Sequence, residues 1–466
     1  AITDEHVFDA TIVFNADGEG NYKLGGETTI EVDLETSGGI IEFTDLVAIT
    51  DEHVFDATIV FNADGVTCVE SESFHILFLN PKIAGNTKLG ETLAITDVYP
   101  PNTSVTFQWK RNDADITGAT DLTYDLTDAD IGRCISVEVK YKDTTMTSDS
   151  TDIITKGDGK EDNPYAVATI EQLDGYVRDN PSLHYEQIED IDLVGYDWEP
   201  IDDFSGVFDG NDYIISNLTI NQLDNNYVGL FSNLLSGGKL RNINLKSVNV
   251  EGKNYVGALV GQSLGDISNC NFEGIIVGSI SVGGLIGYSE DGNIVNSSSA
   301  GNVIGSGTSY IGGLVGKLKR GRIERSFSTA VISATNSGNF AGGLVGHNDK
   351  GNIINCYATG DINAGFYNHV GGLVGINTIY SNITNSYAIG NVESASSGGG
   401  LVGSNLGTVT NSYYDCQISG QIDSGKGEPR NTKQMLEGTD NSEIDEIKIY
   451  TNWDTNIWDF GDDTDY

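Results

Sequence analysis

VGALVG at 256–261, VGGLIG at 282–287, IGGLVG at 311–316, AGGLVG at 341–346, VGGLVG at 370–375 and GGGLVG at 398–403 are one phrase written six times. A shorter form, VGLFS, stands at 228–232. The closing glycines are Gly261, Gly287, Gly316, Gly346, Gly375 and Gly403, spaced 26, 29, 30, 29 and 28 residues apart. A period near 28 with a fixed small-residue corner is the signature of a stacked solenoid. In such a stack each repeat buries its apolar face only against its neighbours.

Aligning the coils on the phrase exposes a second element about five residues on. It runs Gly265-Asp-Ile267-Ser-Asn269-Cys270, Gly292-Asn-Ile294-Val-Asn296-Ser297, Gly321-Arg-Ile323-Glu-Arg325-Ser326 and Gly351-Asn-Ile353-Ile-Asn355-Cys356, and it recurs to Asn411-Ser412. A further Gly-x-Val strand follows, as at Gly301-Asn302-Val303. One coil therefore holds three short strands, and coils stack at the inter-strand spacing of about 4.8 Å. The Leu and Val of the phrase are expected to point inward. Its glycines serve a positive φ or a close backbone approach, two roles that the letter Gly does not separate. The column Asn242, Asn269, Asn296, Asn355, Asn385 and Asn411, broken by Arg325, is expected to form an inward amide ladder. A row of ligand-binding amides is the weaker reading, because a ladder stabilises every coil without a ligand. Cys270 and Cys356 share a column three coils apart, roughly 14 Å, too far for a disulfide.

Composition bounds location and partners. Lys and Arg number 25 against 68 Asp and Glu, a net charge of −43 in 466 residues. Such a field repels nucleic acid and anionic membranes and suits an extracellular setting. The acid is unevenly placed: residues 226–416 hold 10 basic and 10 acidic residues, so the solenoid is neutral overall. There is no run of 18 apolar residues, hence no expected membrane span. The first residue is Ala1, which fits a processed secreted protein or a fragment. Five scattered cysteines with no CxxC suggest neither a disulfide framework nor a zinc site, but inert thiols.

The N-terminal half is different. AITDEHVFDATIVFNADG at 1–18 recurs unchanged at 48–65. A spare strand identical to a native one can pair where that strand pairs, in a neighbouring molecule. Period-two alternation over 19–83 suggests a β-sandwich, and 84–155 shows strands and turns at sandwich spacing around Trp109. KGDGKEDN at 156–163 is a polar linker. Ile170, Leu173 and Val177 then fall at helical spacing behind Thr169 as N-cap, a short helix suited to covering the first coil. The expected division is 1–18 duplicated strand, 19–83 sandwich, 84–155 second sandwich, 156–225 linker, helix and first coils, 226–416 solenoid, and 417–466 C-terminal cap.

Two resemblances attach to these residues. The stretch with Trp109, Thr123-Tyr-Asp-Leu126 and Asp128-x-Asp130-Ile131-Gly132 resembles the immunoglobulin-like modules of prokaryotic surface proteins, departing at Cys134. The phrase, with EDNPYAVATIEQLDG, FSGVFDGNDYIISNLTI and NSYYDCQISGQ around it, resembles the GLUG repeat family over about 160–466. That family implies a right-handed parallel β-helix in secreted or surface-anchored proteins, many described as adhesins. TNWDTNIWDFGDD, with Trp453 and Trp458, is similar to its closing cap. The expected fold class is thus all-β, a right-handed parallel β-helix preceded by one or two immunoglobulin-like β-sandwiches.

Candidate chemistry is sparse. Adjacent acids in the solenoid are confined to Glu290-Asp291, and His347 and His369 sit at different offsets. No HExxH or phosphate loop occurs. Asp158, Asp162, Asp202, Asp203, Asp462, Asp463 and Asp465 lie in loops without the spacing of a known calcium site, so no cofactor is expected, with calcium left open. Sequons occur at Asn102, Asn217, Asn296 and Asn382. The unusual cluster is Lys317, Lys319, Arg320, Arg322 and Arg325, a candidate docking patch for an anionic polymer or an acidic domain. The expected function is an extracellular structural and adhesive cell-surface protein, not an enzyme. Its partners would be host or matrix glycans or proteins, or further copies joined by strand donation from residues 1–18. The alternative is a polysaccharide lyase or hydrolase on a β-helix.

Overall fold

The computed structural model describes residues 81–96, 105–140 and 145–436, except 308–309, 335–339, 365–368, 394–397 and 424–425, together with parts of 450–458. Elsewhere it describes only the backbone of strands, notably Asp9–Asn15, Phe55–Ala63 and Val66–Phe74. The chain divides into two compact units, Ala1–Ile154 and Thr155–Tyr466.

In the first unit, Phe78–Ala84, Thr92–Tyr99 and Thr123–Asp125 form one sheet, and Thr106–Arg111, Ala114–Asp115, Ile135–Tyr141 and Thr144–Thr147 form another. Residues from both, with Leu126 and Ile154, make one core of Leu93, Trp109, Ile135, Val137 and Val139. Trp109 stacks on Tyr124 at 5.6 Å and donates its indole N–H to the Asp121 carbonyl at 2.9 Å. The fully buried Asp130 accepts from Arg111 Nε at 2.7 Å, Tyr124 Oη at 2.9 Å and the Thr127 amide at 2.7 Å. A buried carboxylate is tolerable only when partnered in this way. The sandwich expected over 19–83 lies largely outside the described residues. The described strands there include Phe55–Ala63 and Val66–Phe74, antiparallel to each other, and Asp9–Asn15 of the duplicated segment pairs with the other edge of Phe55–Ala63.

The second unit is a parallel β-helix. Each coil contributes to three sheets, of ten, nineteen and seven strands, in which pairing between successive coils is parallel. Ile294, Ile323, Ile353 and Ile383 sit directly above one another. The phrase supplies the corner into the seven-stranded sheet. Its Leu259, Leu285, Leu314, Leu344, Leu373 and Leu401 are fully buried, as are Val260, Ile286, Val315, Val345, Val374 and Val402. The inward aliphatic ladders expected from the sequence are therefore present, and they belong to one continuous core from Val167 to Tyr414.

The corners divide the two roles left open for glycine. None of the phrase glycines has a positive φ. A Cβ on Gly261, Gly287 or Gly346 would instead lie 2.4, 2.4 or 2.5 Å from backbone atoms of Tyr227, Tyr255 or Ile311. A Cβ on the middle glycines Gly284, Gly313, Gly343 and Gly372 would lie 2.1–2.2 Å from the carbonyl oxygen of the corresponding residue in the next coil. These glycines let backbones touch. The left-handed corner falls to the Asn column: Asn242, Asn269, Asn296, Asn355, Asn385 and Asn411 have φ of 46–54°. Asn tolerates that region because its short amide bonds locally. The amides form a ladder, Asn269 to Asn242 at 2.9 Å and Asn296 to Asn269 at 3.0 Å. The ladder is not inward, since Asn269 and Asn296 are exposed. The residue that turns inward is the next one: Cys270, Ser297, Ser326, Cys356, Ser386 and Ser412 are buried. There Ser hydroxyls accept the amide of the coil before, Ser326 from Ser297 at 3.1 Å and Ser412 from Ser386 at 3.1 Å.

At the N-terminal end a helical segment forms behind Thr169, whose hydroxyl accepts from the Gln172 amide at 3.3 Å. Gln172–Val177 is wound as a π turn, and Leu173 and Val177 are fully buried in the solenoid core. At the other end, Tyr450, Trp453 and Trp458 pack against a column of stacked rings, Tyr357, Tyr387 and Tyr413. The C-terminal segment thus covers the side of the last coils.

Candidate functional site

The basic cluster is matched by acids, three of them from neighbouring coils and one from its own. Parallel in-register stacking places Glu290 beside Lys319 and Lys319 beside Asp349. Lys319 Nζ lies 3.0 Å from Glu290 Oε1, and Arg320 contacts Glu290 and, at 2.8 Å, Asp291. Arg322 and Arg325 hold the two oxygens of Glu324 at 2.6 and 2.7 Å. Lys317 lies 3.7 Å from Asp349. Five cations therefore face four carboxylates, Glu290, Asp291, Glu324 and Asp349. Exposed pairs of this kind contribute about 0–1 kcal/mol each, so their main consequence is cancellation of the patch's field. Arg325 occupies the ladder position with φ 49° and donates to Asn296 at 2.8 Å, substituting for the missing amide.

The same ion pairs bear on Glu290-Asp291. A hydrogen bond from Tyr288, then Lys319 and Arg320, hold the Glu290 carboxyl down at about 2. A carboxyl so placed is ionised at neutral pH, the opposite of the raised carboxyl that serves as general acid in glycoside cleavage. Among the described residues no group of three or more His, Cys, Asp and Glu is placed to hold a metal ion. Of the Asp-rich loops, Asp158 pairs with Lys160 at 2.5 Å, and Asp203 accepts from Asn233 at 3.1 Å; Asp462, Asp463 and Asp465 lie outside the described residues. Cys270 and Cys356 are free and buried, and burial pushes their thiols up to about 12. Asn217 and Asn382 donate their amides to Asp192 at 2.7 Å and Asn352 at 2.9 Å, while Asn102 lies outside the described residues.

A feature that sequence reasoning missed is an aromatic flank. The residue just before the phrase is Tyr227, Tyr255, Tyr310, Phe340 and His369 in five of the coils, and it lies on the outside. The residue just after the phrase forms a neighbouring column of Gln262, Tyr288, Lys317, His347 and Ile376. The two columns interlock. Tyr227 and Tyr255 stack in parallel at 5.0 Å, Tyr255 meets Tyr288 edge-on at 5.7 Å, and Phe340 stacks on His369 at 5.3 Å. His347 sits 4.6 Å from Tyr310, and Lys317 Nζ lies 5.6 Å over the same ring. Burial drives the His347 imidazole down to about 4, with repulsion from Lys317 adding to it. Tyr227 is 36% exposed, and Tyr255, Tyr288, Tyr310, Phe340 and His369 are half-buried. The signal was available: aligning coils on the phrase puts these rings at one position. They vary in type, whereas the glycines beside them do not.

A family model matches the repeat, and two curated relatives match part of the chain. The GLUG motif matches at 278–304, 337–363 and 366–393. A Gly-rich membrane protein of Evansella cellulosilytica is 39% identical over 132 residues, covering 25% of this chain and 15% of that protein. Halomucin of Haloquadratum walsbyi is 30% identical over 172 residues, covering 33% of this chain and 2% of its own length. The chain thus spans a small part of the curated relatives it matches. Among solved structures, an IgA1 protease aligns over 79% of this chain and 30% of its own, with a TM-score of 0.47 and 18% identity.

Proposed function

We propose that the chain is an extracellular structural and adhesive part of a cell-surface protein, not an enzyme, with the GLUG β-helix as a stiff platform. Its first unit carries the immunoglobulin-like module that would act as spacer. In this reading the aromatic flank is the contact surface and its ligand is an extended, uncharged glycan of the matrix or of another cell. The observation that carries it is the outer flank of half-exposed rings, one group at Tyr227, Tyr255 and Tyr288 and a second at Tyr310, Phe340, His347 and His369, with the buried Ser281 at the position between them. Aromatic faces take the apolar C–H faces of sugar rings, while their polar edges and the flanking Gln262 and Lys317 remain wet for hydroxyl contacts. Charge favours a neutral ligand: the whole chain is at −43, and the cations of the solenoid already face carboxylates. Lys317 belongs to the flank; Lys319, Arg320, Arg322 and Arg325 brace its edge and would contact a ligand only by giving up Glu290, Asp291 or Glu324. A surface location is supported by the acidity of the chain and by its likeness to a Gly-rich membrane protein. Among the described residues no helix is long and apolar enough to cross a membrane.

Electrophoresis through gels containing neutral polysaccharides tests this reading. Tyr255→Ala with Tyr310→Ala and Phe340→Ala is expected to weaken retention at least tenfold, the loss of about 1.4 kcal/mol or more. Lys319→Ala with Arg320→Ala and Arg322→Ala should leave it within twofold. The opposite ranking would return the contact to the basic cluster.

A further inference from the structure

The duplicated segment pairs with its own copy, and the register of that pairing is symmetric. Asp9–Asn15 runs antiparallel to Phe55–Ala63, with Ile12 opposite Ile59. Ile12 and Ile59 are the same position of the two identical copies. The other pairs are related about that centre: Asp9 faces Asn62 as Asn15 faces Asp56, Ala10 faces Phe61 as Phe14 faces Ala57, and Thr11 faces Val60 as Val13 faces Thr58. Exchanging the two copies maps the set of seven pairs onto itself. The strand is therefore self-complementary.

We infer that this strand pair is a self-association site whose partner is a second copy of this chain, joined by reciprocal exchange of Asp9–Asn15 between the two. The inference deepens the adhesive reading by naming how copies join. Its physical basis is degeneracy. Every backbone bond and every facing residue made in one molecule is remade between two, so sequence does not distinguish the arrangements. What separates them is effective concentration. The connection 16–54 tethers the two copies of one chain, so each meets the other at a higher effective concentration than it meets a separate chain in dilute solution. Exchange therefore wins where chains are crowded, as on a surface, and the single-molecule pairing wins in dilute solution. Reciprocal exchange closes as a two-fold dimer and leaves no strand unmatched. Identical strands are a hazard that edge-protected sheets avoid; here the matching edge is filled by the chain itself.

Two full-length variants test this. One carries Thr11→Lys with Val60→Lys, the other Thr11→Glu with Val60→Glu. These positions face each other directly. Like charges there oppose pairing within either variant, whereas mixing restores opposite charges only between molecules. Light scattering at micromolar concentration is expected to show each variant alone at the chain mass of 49.8 kDa and the equimolar mixture at twice that mass. A mixture that stays at the single mass, or a variant that dimerises alone, overturns the inference. The thermal transition of the β-helix, in the separate unit, reports whether the rest of each variant has folded. Polysaccharide retention on the same samples separates the two readings. Retention with no dimer sinks the exchange alone, and a dimer with no retention sinks the glycan contact alone.

Discussion

At the scale of the residue, the phrase has a purely steric meaning. Its glycines are needed because one coil's backbone rests on the backbone of the next. The sequence showed that glycine recurs, but both of its uses are written with the same letter, and only the stacked geometry separates them. The left-handed corner was half legible: Asn is the residue that most readily adopts it, and the Asn column was visible. Its direction was not, because an amide ladder can face in or out at the same period. A test follows from contact distance. Gly346→Ala puts a methyl group 2.5 Å from the Ile311 backbone nitrogen and should destabilise the β-helix by about 2–3 kcal/mol. Gly175→Ala, where a Cβ meets nothing within 4 Å, should be neutral or stabilising by up to about 1 kcal/mol. Chemical denaturation of the two variants beside the parent checks both.

At the scale of the element, stacking converts distant letters into neighbours. The run from Lys317 to Arg325 looked like a free basic patch because three of its carboxylates, Glu290, Asp291 and Asp349, belong to other coils. They become partners only once the parallel register is known. The aromatic flank was hidden for the same reason. One of its members gives a pH dependence. His347 has no hydrogen-bond partner on either ring nitrogen and lies against Tyr310 and Phe340. Its folded imidazole charges only near pH 4, against an ordinary value of 6.5. Between these values the unfolded chain binds a proton that the folded chain does not, so stability falls as pH drops through that window. The loss by pH 5 should be on the order of 1–2 kcal/mol. His347→Phe, which keeps a ring in the stack, should remove that part of the loss in denaturation curves taken at pH 7 and pH 5.

At the scale of the whole molecule, most of the second unit was legible and most of the first was not. A solenoid repeats its instructions, so six copies of one phrase reveal coil length, core and corners together. A sandwich states each strand once, and its long-range pairings leave little local trace; Trp109 and the Asp130 corner were the exceptions. The functional conclusion rests on this difference. Whatever repeats in every coil is committed to stacking, and what varies on the outside is free to meet a ligand. The claim underneath is that residues 256–410 form a regular parallel stack. A spin-label distance tests it most directly. Asp266 and Thr408 are exposed ends of one column, linked in register through Asn293, Arg322, Asn352 and Asn382. With Cys68, Cys134 and Cys416 replaced by Ser, labels at these two positions should lie at a narrow distance centred near 24 Å, five steps of about 4.8 Å. A broad distribution, or a centre well beyond 35 Å, would contradict the stack and the flank built on it.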